Sequence, residues 1–421
     1  MIRDKGRMPL AATALADRDR LSRELAMPSD VQSDSPRDAA ADGQALFIFA
    51  GGGTGGHLYP GMAIAEELKA LSPTCEIFWA ATPRLLDQRI LGSQGSHYVP
   101  QAVEPFPKKI WRWPSFFSSW NSSCRYWDEF LASHRVSAVL ALGGYAAAPA
   151  ARAASRRKIP VALLNPDAKV GLANRYLARH AAIIFSQWPL KIRGTADEII
   201  CPVGVPLRGS LFGRSRAQSL EALALDPTRQ TLIITGASLG AATINAAWCH
   251  LMADAGFRAA LDSAARPWQI LHLTGGQDFR RVQSASAALP WPHWKVIDYS
   301  DDMASVWGAA DLAVSRAGAG SCAELEACGV PAILLPYPYH RDRHQHANAE
   351  RLVNHGAAIM LEDKLDPAVN ATRIKAVILD LLGDEPRRNA MQAAALANGK
   401  TDAAREVARW LCRAADRSAG L

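Results

Sequence analysis

Ala45-Leu-Phe-Ile-Phe-Ala50-Gly51-Gly-Gly-Thr-Gly-Gly-His57-Leu-Tyr-Pro60 joins an unbroken apolar run to a loop with five glycines. An apolar run without a polar interruption is what a strand covered on both faces requires. Beyond the loop a helix is expected from Pro60 to Leu71, where Met62, Ala65, Leu68 and Leu71 recur at helical spacing, with Glu66, Glu67 and Lys69 on the other side. One face of that helix is therefore apolar and the other solvated. Strand, glycine turn and helix form the opening unit of a parallel α/β sheet.

The same texture continues downstream. Strands are expected at Glu76–Ala80, Ala138–Leu142, Val161–Leu164 and Ala182–Phe185, with helical stretches between them. The pattern then restarts. Thr231–Thr235 reads as a strand, Gly236-Ala-Ser238-Leu-Gly240 as a turn and Ala241–Met252 as a helix, and further strands are expected at Gln269–Leu273, Val296–Tyr299, Leu312–Ser315 and Ala332–Leu335. Two tandem units of this kind predict two facing Rossmann-like domains. We place a disordered tail at 1–43, a first domain at 44–205, a linker at 206–227 and a second domain at 228–400, with a helix from about 401–421 packing back on the first domain. The tail lacks Phe, Trp and Tyr, so it has little to bury.

A chain of 421 residues with 49% apolar and 21% charged residues can fill two cores. The net charge of +7 suits an anionic partner without choosing one. Seven scattered cysteines with no C-x-x-C pair argue against a disulfide framework and against a zinc site. No apolar run approaches the roughly 18–20 residues that span a bilayer, and the N-terminus lacks the apolar core of a signal peptide.

Five stretches carry chemistry. Gly51, Gly53 and Gly56 satisfy the dinucleotide fingerprint, but the second strand ends Trp79-Ala-Ala-Thr82 without the acid that would hold a ribose. The loop amides are instead suited to an anion at a helix start; a bare tight turn is the plain alternative. His57 ends that loop, as a general base, a phosphate donor or an ordinary capping histidine. Ser238 sits in the second glycine turn, another anion nest or a simple strand-to-helix turn. In Arg316-Ala-Gly318-Ala319-Gly320-Ser321-Cys322-Ala323-Glu324 the amides near Gly320 and Ser321 suit a diphosphate. Glu324 suits the ribose hydroxyls, or a capping box with Ser321. Tyr337 to Asn348 holds three histidines beside Gln345. With no carboxylate or cysteine cluster, sugar binding is expected there rather than a metal. Finally, Phe106 to Trp120 interleaves Lys108, Lys109 and Arg112 with Trp111, Trp113, Phe116 and Phe117. That mixture suits a membrane interface; single-stranded nucleic acid and a buried aromatic helix are the alternatives.

In order and spacing these motifs resemble the MurG family of lipid-linked N-acetylglucosaminyltransferases over roughly residues 45–415. The most specific elements are Gly52-Gly-Thr54-Gly55-Gly56-His57-Leu-Tyr-Pro60, Gly143-Gly144-Tyr145, Gly171-Leu-Ala-Asn174, Gly236 to Ala241 with Ile244-Asn245, and the block from Asp301 to Gln345. The resemblance implies a GT-B fold and an inverting, metal-independent transfer without a cofactor. The donor implied is UDP-N-acetylglucosamine. The acceptor implied is the 4-hydroxyl of the muramyl sugar of undecaprenyl-pyrophosphoryl-MurNAc-pentapeptide (lipid I). The place implied is the cytoplasmic face of an anionic membrane, with no nucleic acid. Carried over by motif, Thr54, Gly55, Gly56, Asp167, Arg208, Ser238, Ser300, Ala319–Glu324, His344 and Gln345 would bind the donor. Gly143, Gly144 and Tyr145 would form acceptor loops, and His57 would be the base. Another lipid acceptor, or a UDP-N-acetylglucosamine 2-epimerase, is the alternative. Two positions depart from the family. Leu164-Asn165-Pro166-Asp167 replaces His-Glu-Gln-Asn, and Val205 replaces the asparagine of a Gly-Asn-Pro motif. Asp167 keeps an acceptor but loses the amide donors of asparagine.

Overall fold

The computed structural model describes residues 44–53, 55–92, 96–107, 109–236, 240–339 and 342–419. The expected tail, Thr54, Lys108, Ser238, His340 and Arg341 lie outside the described residues.

The first domain runs β1 (Leu46–Gly51), α1 (Gly55–Leu71), β2 (Glu76–Ala81), α2 (Leu85–Gly92), β3 (His97–Pro100), α3 (Trp113–Ser133), β4 (Val136–Gly143), α4 (Ala148–Arg156), β5 (Val161–Asn165), α5 (Leu172–Leu177), β6 (Ile183–Ser186) and β7 (Ile200–Cys201). The second runs α6 (Arg216–Ala222), β8 (Gln230–Thr235), α7 (Ala242–Ala253), α8 (Ala255–Ser263), β9 (Trp268–Leu273), α9 (Phe279–Ala287), β10 (Trp294–Ile297), α10 (Met303–Ala309), β11 (Leu312–Ser315), α11 (Ala319–Ala327), β12 (Ala332–Leu334), α12 (His344–Asn354), β13 (Ala358–Met360), α13 (Pro367–Leu382) and α14 (Glu385–Asn398). A last helix, α15 (Ala403–Ala419), returns to the first domain, where Val407, Leu411 and Ala414 share a core with Phe47, Leu58 and Leu68.

Both sheets are parallel. Their orders are β3-β2-β1-β4-β5-β6-β7 and β10-β9-β8-β11-β12-β13. The apolar strands explain this: Phe47 and Phe49 face one layer and Ile48 and Ala50 the other, and all are buried. In each sheet the order reverses between the first strand and its crossover partner, β1/β4 and β8/β11. At such a reversal the two following loops diverge and leave a crevice at the strands' carboxyl ends.

Three local expectations are corrected. Helix α1 begins at Gly55 rather than Pro60, so His57 lies in its first turn. Pro60 sits inside, where its missing N–H forfeits only one helical bond. The strand expected at Val296–Tyr299 is β10, Trp294–Ile297; the chain turns at Asp298, whose carboxylate accepts the Tyr299 amide. Within 206–227, Ser215 forms a capping box with Gln218 and starts α6, which packs on α10.

Candidate active site

At the first reversal, the loop after β1 meets the loop after β4. Gly143 and Gly144 hold φ values of 104° and 77°, a region that favours glycine. A Cβ on either would come within 3.2 Å of the His57 ring. The glycine pair is thus the seat of the imidazole. Tyr145 follows at the start of a short 3-10 turn, and burial pushes its hydroxyl up against the opposing influence of Arg84. His57 Nδ1 lies 3.1 Å from the Gly52 carbonyl. A carbonyl only accepts, so Nδ1 carries a proton, and in the neutral form of the ring the lone pair is on Nε2.

The glycine loop is organised differently from expectation. The Gly53 amide donates to the protein's own Asp87, at 2.8 Å to Oδ2 and 3.0 Å to Oδ1. Asp87 is fully buried and also accepts from the Thr82 amide (2.9 Å) and hydroxyl (2.6 Å). Arg84 donates to the Gly53 carbonyl at 2.8 Å. The acid missing from the end of β2 is therefore present in the first turn of α2, and it braces the loop from within. Gly55 is buried and Gly56 exposed in the first turn of α1.

At the second reversal, α11 starts at Ala319 behind Gly318, which offers no side-chain cap. Its first helical bond runs from the Cys322 amide to the Gly318 carbonyl. The amides of Ala319, Gly320 and Ser321 precede it and have no intrahelical acceptor. Nothing would meet a Cβ on Gly318 or Gly320 within 4 Å, so this end opens into space. It is a positively poled helix end suited to phosphate. Cys322 and Ala323 are buried behind it. Because the N-cap is Gly318, Ser321 and Glu324 form no capping box. Glu324 Oε2 instead accepts the Trp307 indole N–H at 2.8 Å. Burial pushes the Glu324 carboxyl up, and the Trp307 bond and the Arg208 charge oppose that. Ser300 Oγ accepts the Asp302 amide at 3.2 Å, and Asp302 caps α10.

Side chains from both domains meet between the two reversals. Tyr59 and Tyr299 share a hydrogen bond of 2.8 Å, and the Arg208 guanidinium lies 5.3 Å from the Tyr59 ring centre. Burial and the Tyr59 bond push the Tyr299 hydroxyl up. Asn348, buried on α12, donates to Asp167 Oδ1 (3.0 Å) and to the Ala317 carbonyl (3.1 Å), and its oxygen accepts the Ala168 amide at 2.8 Å. The acidic departure at Asp167 thus has an amide donor facing it from the other domain. At the start of α12, His344 Nδ1 pairs with Asp342 at 2.9 Å and Gln345 Oε1 accepts the Tyr337 amide at 2.9 Å.

Arg316 proves structural. Its guanidinium pairs with Asp363 at 2.8 Å, with side-chain exposures of 5% and 0%, and it also donates to Thr243 and the Leu335 carbonyl. Reading by motif missed Asp87, Trp307, Tyr59, Tyr299 and Asn348. Asp87 had one local signal, an acid one turn beyond the end of β2.

Away from the cleft, the basic-aromatic stretch is a surface rather than a buried helix. Trp111 is 72% exposed, Ile110 68%, Phe106 59% and Phe117 50%. Edge-to-face ring contacts Phe106–Phe116, Phe116–Phe117 and Trp113–Phe117, with centroids 5.1, 5.5 and 6.5 Å apart, knit this surface together. Lys109 lies 5.1 Å from the Trp111 ring, and Arg112 pairs with Glu104 at 3.4 Å. Among the described residues no helix is long and apolar enough to cross a membrane, and no group of three or more His, Cys, Asp or Glu could hold a metal ion.

Two parallel α/β domains with glycine-lined sheet reversals, joined across a cleft, define a GT-B glycosyltransferase. Residues 47–186 match the profile of the glycosyltransferase family 28 N-terminal domain, and 231–407 that of its C-terminal domain. The UDP-N-acetylglucosamine--N-acetylmuramyl-(pentapeptide) pyrophosphoryl-undecaprenol N-acetylglucosamine transferase of Carboxydothermus hydrogenoformans is 34% identical over 81% of this chain and 90% of its own. The protein of the same description from Syntrophotalea carbinolica is 33% identical over 87% and 98%. The crystal structure of Acinetobacter baumannii MurG superposes with a TM-score of 0.63 at 26% identity, covering 88% of this chain and 99% of its own. The chain belongs to the MurG family of glycosyltransferases.

Proposed function

We propose that the chain transfers N-acetylglucosamine from UDP-N-acetylglucosamine to the 4-hydroxyl of the muramyl sugar of lipid I, with inversion and without a metal. The observation that carries this reading is that α1, the helix bearing His57, packs against α11, whose N-terminal end has no side-chain cap and suits an anionic leaving group. His57 Nε2 takes the proton of the acceptor hydroxyl as its oxygen bonds the anomeric carbon. The anomeric C–O bond to the diphosphate breaks, and UDP leaves with the electron pair. The uncapped end of α11 and Arg208 stabilise that charge. Glu324 holds the ribose hydroxyls through the oxygen not bonded to Trp307, and Gln345 with His344 faces the sugar. Incubation with labelled UDP-N-acetylglucosamine and lipid I, with and without EDTA, tests the reaction. Lipid-linked disaccharide is expected in both. Loss of product on chelation, restored by Mg²⁺, would overturn the metal-free step; epimerised sugar without acceptor would favour the epimerase.

Glu324→Ala is expected to weaken donor binding by about 1–3 kcal/mol, the scale of charged hydrogen bonds. Titration calorimetry with UDP reads this, and unchanged affinity would remove Glu324 from the ribose.

The exposed Trp111, Trp113 and Phe117 and the half-buried Phe116, with Lys108, Lys109 and Arg112, would dock the first domain peripherally on the cytoplasmic face of an anionic membrane. Rings enter the headgroup layer, and each cation near the surface adds about 1 kcal/mol, screened by salt. In vesicle flotation the protein should bind anionic vesicles more strongly than neutral ones. Trp111→Ala with Trp113→Ala should abolish much of that binding; equal flotation of the double variant would rule the patch out.

A further inference from the structure

We propose that Asp87 is a positioning residue for His57, acting through the peptide group that joins Gly52 to Gly53; the catalytic part of this inference rests on His57 being the base. The two ends of that one peptide group are both engaged. Its carbonyl, from Gly52, accepts His57 Nδ1–H at 3.1 Å, and its amide, from Gly53, donates to Asp87 at 2.8 and 3.0 Å. Carboxylate, peptide and imidazole therefore form a continuous chain, Asp87···H–N–C=O···H–Nδ1 of His57. A buried carboxylate at the amide end draws the peptide's electrons toward the carbonyl end, because hydrogen bonds in series polarise one another at low dielectric. The Gly52 carbonyl becomes the stronger acceptor, which holds the Nδ1–H tautomer and favours the imidazolium that forms in the reaction.

The surroundings are built around this chain. A Cβ on Gly52 would lie 2.3 Å from Asp87 Oδ2, so only glycine lets the carboxylate reach the peptide. The Thr82 amide and hydroxyl bind the same carboxylate oxygen, fixing its place and satisfying its charge away from solvent. On the far side, Gly143 and Gly144 hold the imidazole ring. The arrangement performs the task that a carboxylate performs when it bonds a catalytic histidine directly, orienting the ring and stabilising its charged form without itself taking a proton. Here the acceptor's proton passes to Nε2 and stays on the imidazole until released to solvent. The Nδ1 proton never leaves Nδ1, and no proton passes to Asp87.

The test reads the tautomer first and catalysis second. With histidine-selective ¹⁵N labelling of the full-length protein, and the His57 signal assigned by its loss in His57→Gln, the neutral ring should show a protonated Nδ1. Finding the proton on Nε2 in the wild type would overturn the proposal without any further variant. In Asp87→Asn the signal should move toward a mixture of tautomers, while Thr82→Val, which loosens the same loop but keeps the carboxylate, should leave it in place. An unchanged signal in Asp87→Asn would likewise sink the idea. In the transfer assay, Asp87→Asn should lower kcat at least about 10-fold, part of the roughly 10²- to 10⁴-fold that a general base supplies. The same substitution in a His57→Gln background should cost nothing more. Equal losses in both backgrounds mean that Asp87 acts independently of His57. If His57→Gln alone retains wild-type kcat, the base assignment fails, and the positioning role is decided by the tautomer measurement.

Discussion

His57→Gln is expected to lower kcat by about 10²- to 10⁴-fold while donor affinity by calorimetry stays near wild type. Glutamine keeps a donor for the Gly52 carbonyl and comparable volume in the glycine seat, but it has no basic nitrogen at the position of Nε2. The loss therefore reports proton transfer rather than a collapsed loop. A histidine that instead donates to phosphate would show its effect in donor binding. The two roles separate further in the pH profile. The fall in kcat on the acid side, produced when a histidine base is protonated, should vanish in the variant. A surviving acid limb would place the base elsewhere. Asp167 would be the next candidate, although one of its carboxylate oxygens accepts from Asn348 at 3.0 Å.

Asp363→Ala is expected to destabilise the second domain by about 3–5 kcal/mol, the range for removing one partner of a buried ion pair. It strands the Arg316 guanidinium, 5% exposed, under the second sheet reversal. Burial pushes the Asp363 carboxyl up, but hydrogen bonds from Thr243, the Leu365 amide, Asn370 and Arg316 together outweigh it, and the net shift is downward. The sign follows from linkage. A carboxyl held below its unfolded value contributes stability that is complete above that value, about 3.9 for aspartate. The contribution is lost as pH falls through the depressed folded value. Urea unfolding should show the variant destabilised at neutral pH, with the gap to wild type closing in acid. A gap that persists unchanged into acid would mean that lost packing, not the charge pair, sets the cost.

Much of the fold is local information. A strand buried on both faces must be apolar along its centre, as Leu46–Ala50 and Leu232–Ile234 are. A helix with one buried face must repeat near 3.6 residues, and a strand-to-helix turn over an open crevice calls for glycine. Those rules suffice to place the three glycine turns, His57 beside the first of them and Glu324 one turn into α11. What they do not contain is which loops face each other. That Gly143 and Gly144 seat the His57 ring follows from β1 lying next to β4, a pairing made across the intervening β2, β3 and their helices. Asp87 reaches Gly53 across 34 residues, Ala168 reaches Asn348 across 180, and Tyr59 reaches Tyr299 across 240. The partner of Glu324 is an indole on a different helix, not the serine three residues before it. Backbone propensity and apolar periodicity act over a turn or two of chain, so they determine the elements and their caps. Hydrogen-bond partners of buried polar groups are chosen by whichever atoms the packed layers bring within about 3 Å, and only the assembled tertiary structure decides that.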